Sequence, residues 1–243
     1  MLAKKVPVLN VMIDSVNMNE AVDILEDYIK EKKPHLIATA NAEMIMMANE
    51  DPELLTILNN ADLVVPDGAG TVWAARYHGH LMPERVAGYD LVQNLLKRVA
   101  GKGTKIFFLG AAPGVAEKAK KYAEKKYVGI DVVGVKDGYF SLEQEPELVQ
   151  TINSAKPDVL LVALGVPRQE KWIVKYLDKL EVPVAIGVGG TFDVMAGVVK
   201  RAPVWMQKAK LEWLYRGMLQ PKRIGRLMAL PRFILKVCSL KKH

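Results

Sequence analysis

The chain has 243 residues, half of them hydrophobic and a quarter charged, with a formal net charge of +7. That suits one large globular domain, or one domain with an appendage, and 18 glycines with few aromatics favour α/β over an all-β sandwich. One cysteine, Cys238, excludes an internal disulfide; no apolar run nears the roughly 20 residues of a membrane span, and no signal peptide is visible, so a cytoplasmic protein is expected.

Pro7 to Ile13 is rich in β-formers and reads as one strand. Asn17 and Glu20 have the spacing of a capping box, and the helix behind them puts Ala21, Ile24, Leu25 and Tyr28 on one face. Leu36 to Thr39 is the next strand. The helix after Asn41 carries Met44, Met46 and Met47, which read as core filling rather than a ligand box. Asp51-Pro52-Glu53 opens a short helix with proline in its first turn.

Leu63 to Val65 reads as a short buried strand that stops at Pro66, with Gly68 and Gly70 turning the backbone. Asp67 then stands just past the carboxyl end of a strand and ahead of a helix. A carboxylate there is a candidate general base, or it caps the helix and orders the turn. A loop over His78 to Gly88 leads to a helix over Tyr89 to Val99. Further strands are expected at Lys105 to Leu109, Ile130 to Val135, Val159 to Leu164 and Val184 to Val188, each followed by a helix or a turn.

Strands and helices thus alternate, which predicts a Rossmann-like α/β fold with a mostly parallel sheet. Right-handed crossovers gather the strand-end loops on one edge. That edge holds Thr39, Asn41, Asp67, Gly110, Tyr139, Gly165, Gln169, Gly189, Gly190 and Asp193, a small, polar, glycine-lined set suited to a nucleotide. The Gly110 to Gly114 and Gly187 to Gly190 loops can each bring backbone N–H groups to a phosphate, but neither has dinucleotide spacing and no Walker motif exists. Four scattered histidines and one tail cysteine give metal chemistry little support, and no G-x-S-x-G marks a serine hydrolase.

From Val198 onward there are twelve Lys or Arg and one acid, Glu212; the residues before it carry 22 basic against 26 acidic side chains. The expected division is an α/β catalytic domain over 1–197 and a basic, amphipathic helical appendage over 198–243. Pro203 opens a helix, and basic residues interleave with Leu227, Leu230, Phe233, Ile234, Leu235 and Val237. Such a pattern suits a helix lying on an anionic membrane, or a helix pair packed on the core or on a second subunit. Its apolar content argues against nucleic acid.

Thr39-Ala-Asn41-Ala-Glu43, Val65-Pro66-Asp67-Gly68, Pro83-Glu84-Arg85-Val86-Ala87-Gly88-Tyr89-Asp90, Phe107 to Ala111, Ala163 to Trp172 and Gly187 to Asp193 together resemble the WecG/TagA/CpsF glycosyltransferases, most closely the TagA branch. The resemblance implies an inverting, metal-independent peripheral enzyme on the cytoplasmic face of the membrane, with no cofactor. Its donor would be UDP-N-acetylmannosamine and its acceptor N-acetylglucosamine on undecaprenyl diphosphate, the linkage unit of wall teichoic acid. It implies Asp67 as base, Thr39, Asn41 and Gln169 near the sugar and leaving group, and Arg85, Arg216, Arg223 and Arg226 on the substrate. Donors carrying N-acetylmannosaminuronic acid or glucose are the alternatives within the family. A non-catalytic membrane adaptor is the alternative outside it, and a homo-oligomer is compatible with the apolar tail.

Overall fold

The computed structural model describes residues 4–208, Glu212, Leu214, Tyr215 and residues 229–240. The chain opens with β1 (Lys5–Val8) and β2 (Val11–Asp14), paired antiparallel. The single strand expected over Pro7 to Ile13 is therefore a hairpin. Leu9, at φ 55°, and Asn10 reverse the chain between two strands. Inward valines flank the turn on both sides, so the sequence alternation runs through it without a visible break.

Six strands form one parallel sheet: β3 (His35–Ala40), β4 (Leu63–Pro66), β5 (Lys105–Gly110), β6 (Asp131–Lys136), β7 (Val159–Ala163) and β8 (Val184–Gly187). Their spatial order is β4-β3-β8-β7-β5-β6, with every pairing parallel. Pro66 pairs with Ala40 at the end of β4. Proline is tolerated there because β4 is an edge strand. The outer side of β4 is covered by the hairpin: the Asp14 carboxylate accepts a 2.7 Å hydrogen bond from Val64 N–H. An otherwise bare strand edge is thereby satisfied.

Successive strand residues point to opposite faces, and the two faces carry two apolar layers. Ile37, Val65, Phe108, Leu161 and Ile186 face α1 (Met18–Glu31), α5 (Gly88–Val99), α6 (Val115–Lys126) and α9 (Thr191–Met195). Leu36, Val64, Phe107, Leu160 and Ala185 face the hairpin, α2 (Ala42–Glu50), α3 (Pro52–Asn60), α4 (Ala69–Tyr77), α7 (Glu145–Ala155) and α8 (Arg168–Tyr176). The expected capping box forms, with Asn17 accepting from Glu20 N–H and Glu20 from Asn17 N–H. Met44 is buried, and Met46 and Met47 pack at the core margin, as core filling.

In the basic tail, α10 (Val204–Lys208) follows Pro203, and α11 (Ala229–Ser239) lies against α2 and α4. Phe233 and Val237 are fully buried in the same apolar layer as α2 and α4. A side chain at Gly70 would come within 3.2 Å of Leu230, so α11 seats closely on α4. The opposite side of α11 leaves Ile234 and Leu235 exposed. Among the described residues, no helix is long and apolar enough to cross a membrane.

Candidate active site

Because all six strands run the same way, their carboxyl ends share one edge. β3 leads to β4 on one side of the sheet, while β5 leads to β6 on the other. Open α/β sheets hold ligands in the crevice where the strand order reverses in this way.

Asp67 stands at the β4 end. Its N–H donates to Ala40 O at 3.0 Å, which fastens the turn to β3. Gly68 has φ 112° and is itself the N-cap of α4. Val86 N–H donates to Pro66 O at 3.0 Å and pins the following loop across the turn. That contact delivers Arg85, whose Nη2 lies 3.8 Å from Asp67 Oδ1. The Arg85 Nη1 also touches Glu212 Oε2 at 2.5 Å, while the buried Arg85 Nε has no hydrogen-bond partner among the described residues.

Asn41 is the N-cap of α2, where its side chain accepts from Met44 N–H at 3.0 Å. Thr39 is buried, and its hydroxyl donates to Gly187 O at 3.4 Å, linking β3 to β8. Gly88, at the start of α5, packs so close that an added side chain would meet Thr39 at 3.1 Å.

Gln169 is buried in the first turn of α8. Its Oε1 accepts from Gly165 N–H at 3.2 Å and from Gly189 N–H at 3.0 Å. Its Nε2 donates to Glu170 Oε1 at 2.7 Å. One amide thus clamps the loops after β7 and β8, and those two N–H groups are engaged by it. Glu170 is fully buried and its Oε2 has no hydrogen-bond partner among the described residues. Burial pushes its carboxyl up to about 7, against the opposing pull of its bond from Gln169 and a backbone N–H. Gly187 makes room for this pair, since a side chain there would meet Gln169 Nε2 at 2.6 Å.

Gly110 ends β5 at φ 120°, with its backbone so near β7 that a Cβ would lie 2.4 Å from Ala163 O. Ala111 N–H donates to Ala163 O at 2.8 Å, and Gly138 N–H to Ala111 O at 2.9 Å. Arg168 donates to Gly138 O at 3.2 Å and lies over the Phe140 ring, drawing the loop after β6 towards the crevice. Tyr139 on that loop is largely exposed. At about 4.8 Å per strand it stands roughly 24 Å along the edge from Asp67. Asp193 lies in the first turn of α9, with its carboxylate 3.6 Å from the position of a Gly190 side chain.

The sequence profile described as Glycosyl transferase WecG/TagA/CpsF family matches residues 6–243. The chain belongs to this family. Three curated relatives carry the name N-acetylglucosaminyldiphosphoundecaprenol N-acetyl-beta-D-mannosaminyltransferase. The one from Bacillus spizizenii is 37% identical over 89% of this chain and 85% of its own. That from Bacillus subtilis is 35% identical over 96% and 91%, and that from Staphylococcus aureus is 34% identical over 98% and 94%.

The edge of this WecG/TagA/CpsF glycosyltransferase brings Thr39, Asn41, Asp67 and Arg85 together at one end, and Gly165, Gln169 and Gly189 together at its middle. Arg216, Arg223 and Arg226 lie outside the described residues. Sequence reasoning gave no site role to Glu170, Asp90, Arg201 or Glu212. Gln169 carried a signal: with Trp172, Ile173 and Tyr176 it fills the buried stripe of α8, a polar residue where the helical period reserves an apolar one. Among the described residues, no group of three or more His, Cys, Asp or Glu is placed to hold a metal ion.

Proposed function

We propose that this glycosyltransferase moves N-acetylmannosamine from UDP-N-acetylmannosamine to N-acetylglucosamine on undecaprenyl diphosphate, the linkage-unit step of wall teichoic acid. The observation that carries this reading is the shared name of three relatives that align over nearly the whole chain at 34–37% identity. The geometry supports it. A one-step inverting transfer needs a base on the acceptor hydroxyl and positive charge on the departing diphosphate. Asp67 is a carboxylate at a strand end, and Arg85 is a guanidinium held beside it. Asp67 takes the hydroxyl proton as the acceptor oxygen attacks the anomeric carbon. The bond from that carbon to the diphosphate oxygen breaks with its electron pair leaving on UDP. Arg85, joined by Arg216, Arg223 and Arg226, offsets the charge that develops there, without a metal.

On this reading the enzyme works at the cytoplasmic face of the membrane, and the composition of the tail supports it. Each Lys or Arg near an anionic leaflet contributes about 1 kcal/mol, and the tail carries twelve. Trp205, Ile234, Leu235 and Leu240 of the same tail are exposed. The deciding assay is UDP release from UDP-N-acetylmannosamine with a short-chain diphospholipid-linked N-acetylglucosamine, in a chelator, for wild type and Asp67→Asn. Acceptor-dependent release that survives the chelator and falls by about 100-fold or more in Asp67→Asn is expected for a lost general base. Release that ignores the substitution removes Asp67 as base, and release from another UDP-sugar instead redirects the donor.

A further inference from the structure

The basic tail has a single acid, and it is not in solvent. Glu212 is buried, and its two carboxylate oxygens face two arginines of different origin. Oε2 lies 2.5 Å from Arg85 Nη1, on the loop beside Asp67, and Oε1 accepts from Arg201 Nε at 3.2 Å. Arg201 in turn forks onto Asp90, with both bonds at 2.7 Å, and lies 4.7 Å over the Tyr89 ring. Asp90 and Tyr89 belong to the first turn of α5, directly after the loop that carries Arg85. The ionic chain therefore runs Asp67, Arg85, Glu212, Arg201, Asp90, and joins the candidate base to the appendage.

A lone acid among twelve bases has many oppositely charged residues in its own stretch of sequence. Here it takes one partner from the tail, Arg201, and one from the body, Arg85. Arg201, itself fixed by its bidentate fork onto Asp90, holds Glu212 from behind through Nε, a geometry that an arginine supplies and a lysine does not. Burial works to raise the Glu212 carboxyl, but Arg85 and Arg201 outweigh it and hold the group below the usual carboxylate range, so it is charged through the neutral pH range.

We propose that Glu212 is a positioning residue: it anchors the tail to the site and shares Arg85 with Asp67, setting how much of that guanidinium's charge the base receives. The inference rests on the reading of Asp67 as base. Two carboxylates on one guanidinium weaken each other's ionised form. Neutralising Glu212 leaves Asp67 as the nearer claimant of Arg85, and its ionised form becomes easier to reach. Among the described residues, the charged and titratable groups facing this point are Asp67 and Arg85 from the strand-end loops, Glu212 and Arg201 from the tail, and Asp90 and Tyr89 from α5.

The test is the pH profile of acceptor-dependent UDP release for wild type, Glu212→Asp and Glu212→Gln, with Asp67→Asn alongside. The acidic limb of the rate should move to lower pH, by about half a unit or more in Glu212→Gln and by less in Glu212→Asp, whose carboxylate is retained but withdrawn by one methylene. A tail that was merely loosened would lower the plateau and leave the limb in place. If Glu212→Gln has no measurable rate, the limb is read in Glu212→Asp, where an unmoved limb overturns the proposal. Collapse in Asp67→Asn with an unmoved limb in the Glu212 variants refutes this inference alone. A full rate in Asp67→Asn removes the base reading on which it stands.

Discussion

Glu170 offers a sharp test of the site's construction, because its cost depends on pH in a direction that can be worked out. The carboxyl is fully buried beneath the clamped loops and stands at about 7, against 4.5 when free. An acid raised in the folded state binds its proton more tightly there than in the unfolded chain. Its contribution to stability is therefore fully present below pH 4.5 and is lost as pH rises through about 7. The difference of roughly two and a half units corresponds to a loss on the order of 3 kcal/mol. For a chain of this size that is a shift in Tm of about 6–12 °C.

Glu170→Gln removes the titration while keeping the side-chain length and an oxygen for the Gln169 amide. Urea and thermal unfolding of both proteins at pH 5, 6, 7 and 8 isolates the group, because the other titrating residues are common to both. The stability of Glu170→Gln relative to wild type should rise by about 2.5 kcal/mol between pH 5 and pH 8. A difference between the two proteins that stays flat over that range would refute the reasoning. It would mean that Glu170 does not carry its proton into the neutral range.

Two further substitutions separate architecture from chemistry. Asn41→Ala should cost about 1 kcal/mol through loss of the α2 cap, and Asn41→Ser should restore the stability without restoring UDP release; recovery of both would make Asn41 a cap and nothing more. Gly110→Ala forces a side chain at φ 120° into Ala163 O, and urea unfolding should show a loss of about 2 kcal/mol or more with weakened UDP binding; an unchanged midpoint would contradict the close approach of β5 and β7.

Much of the architecture was legible in contiguous residues. The Asn17 and Glu20 box, the Pro52 start, the Pro66 stop and the unbroken apolar runs of β7 and β8 each act within a few positions, where local chemistry decides the backbone. Their alternation was enough to give the parallel sheet and its ligand-holding edge. The hairpin at Leu9 escaped because a two-residue reversal leaves the inward alternation intact.

The sequence by itself also determined which residues gather at the strand ends, since parallel strands with right-handed crossovers leave only one edge for them. Only the tertiary structure decided what those residues do to one another. Asn41 is turned to cap a helix, and Gln169 is turned inward to hold Gly189. Arg201 finds Asp90 across 111 residues. Glu212 leaves a basic tail to meet Arg85. A buried charge must find its partner wherever the fold puts one. Such pairings depend on how elements pack in space, and no spacing along the chain encodes them.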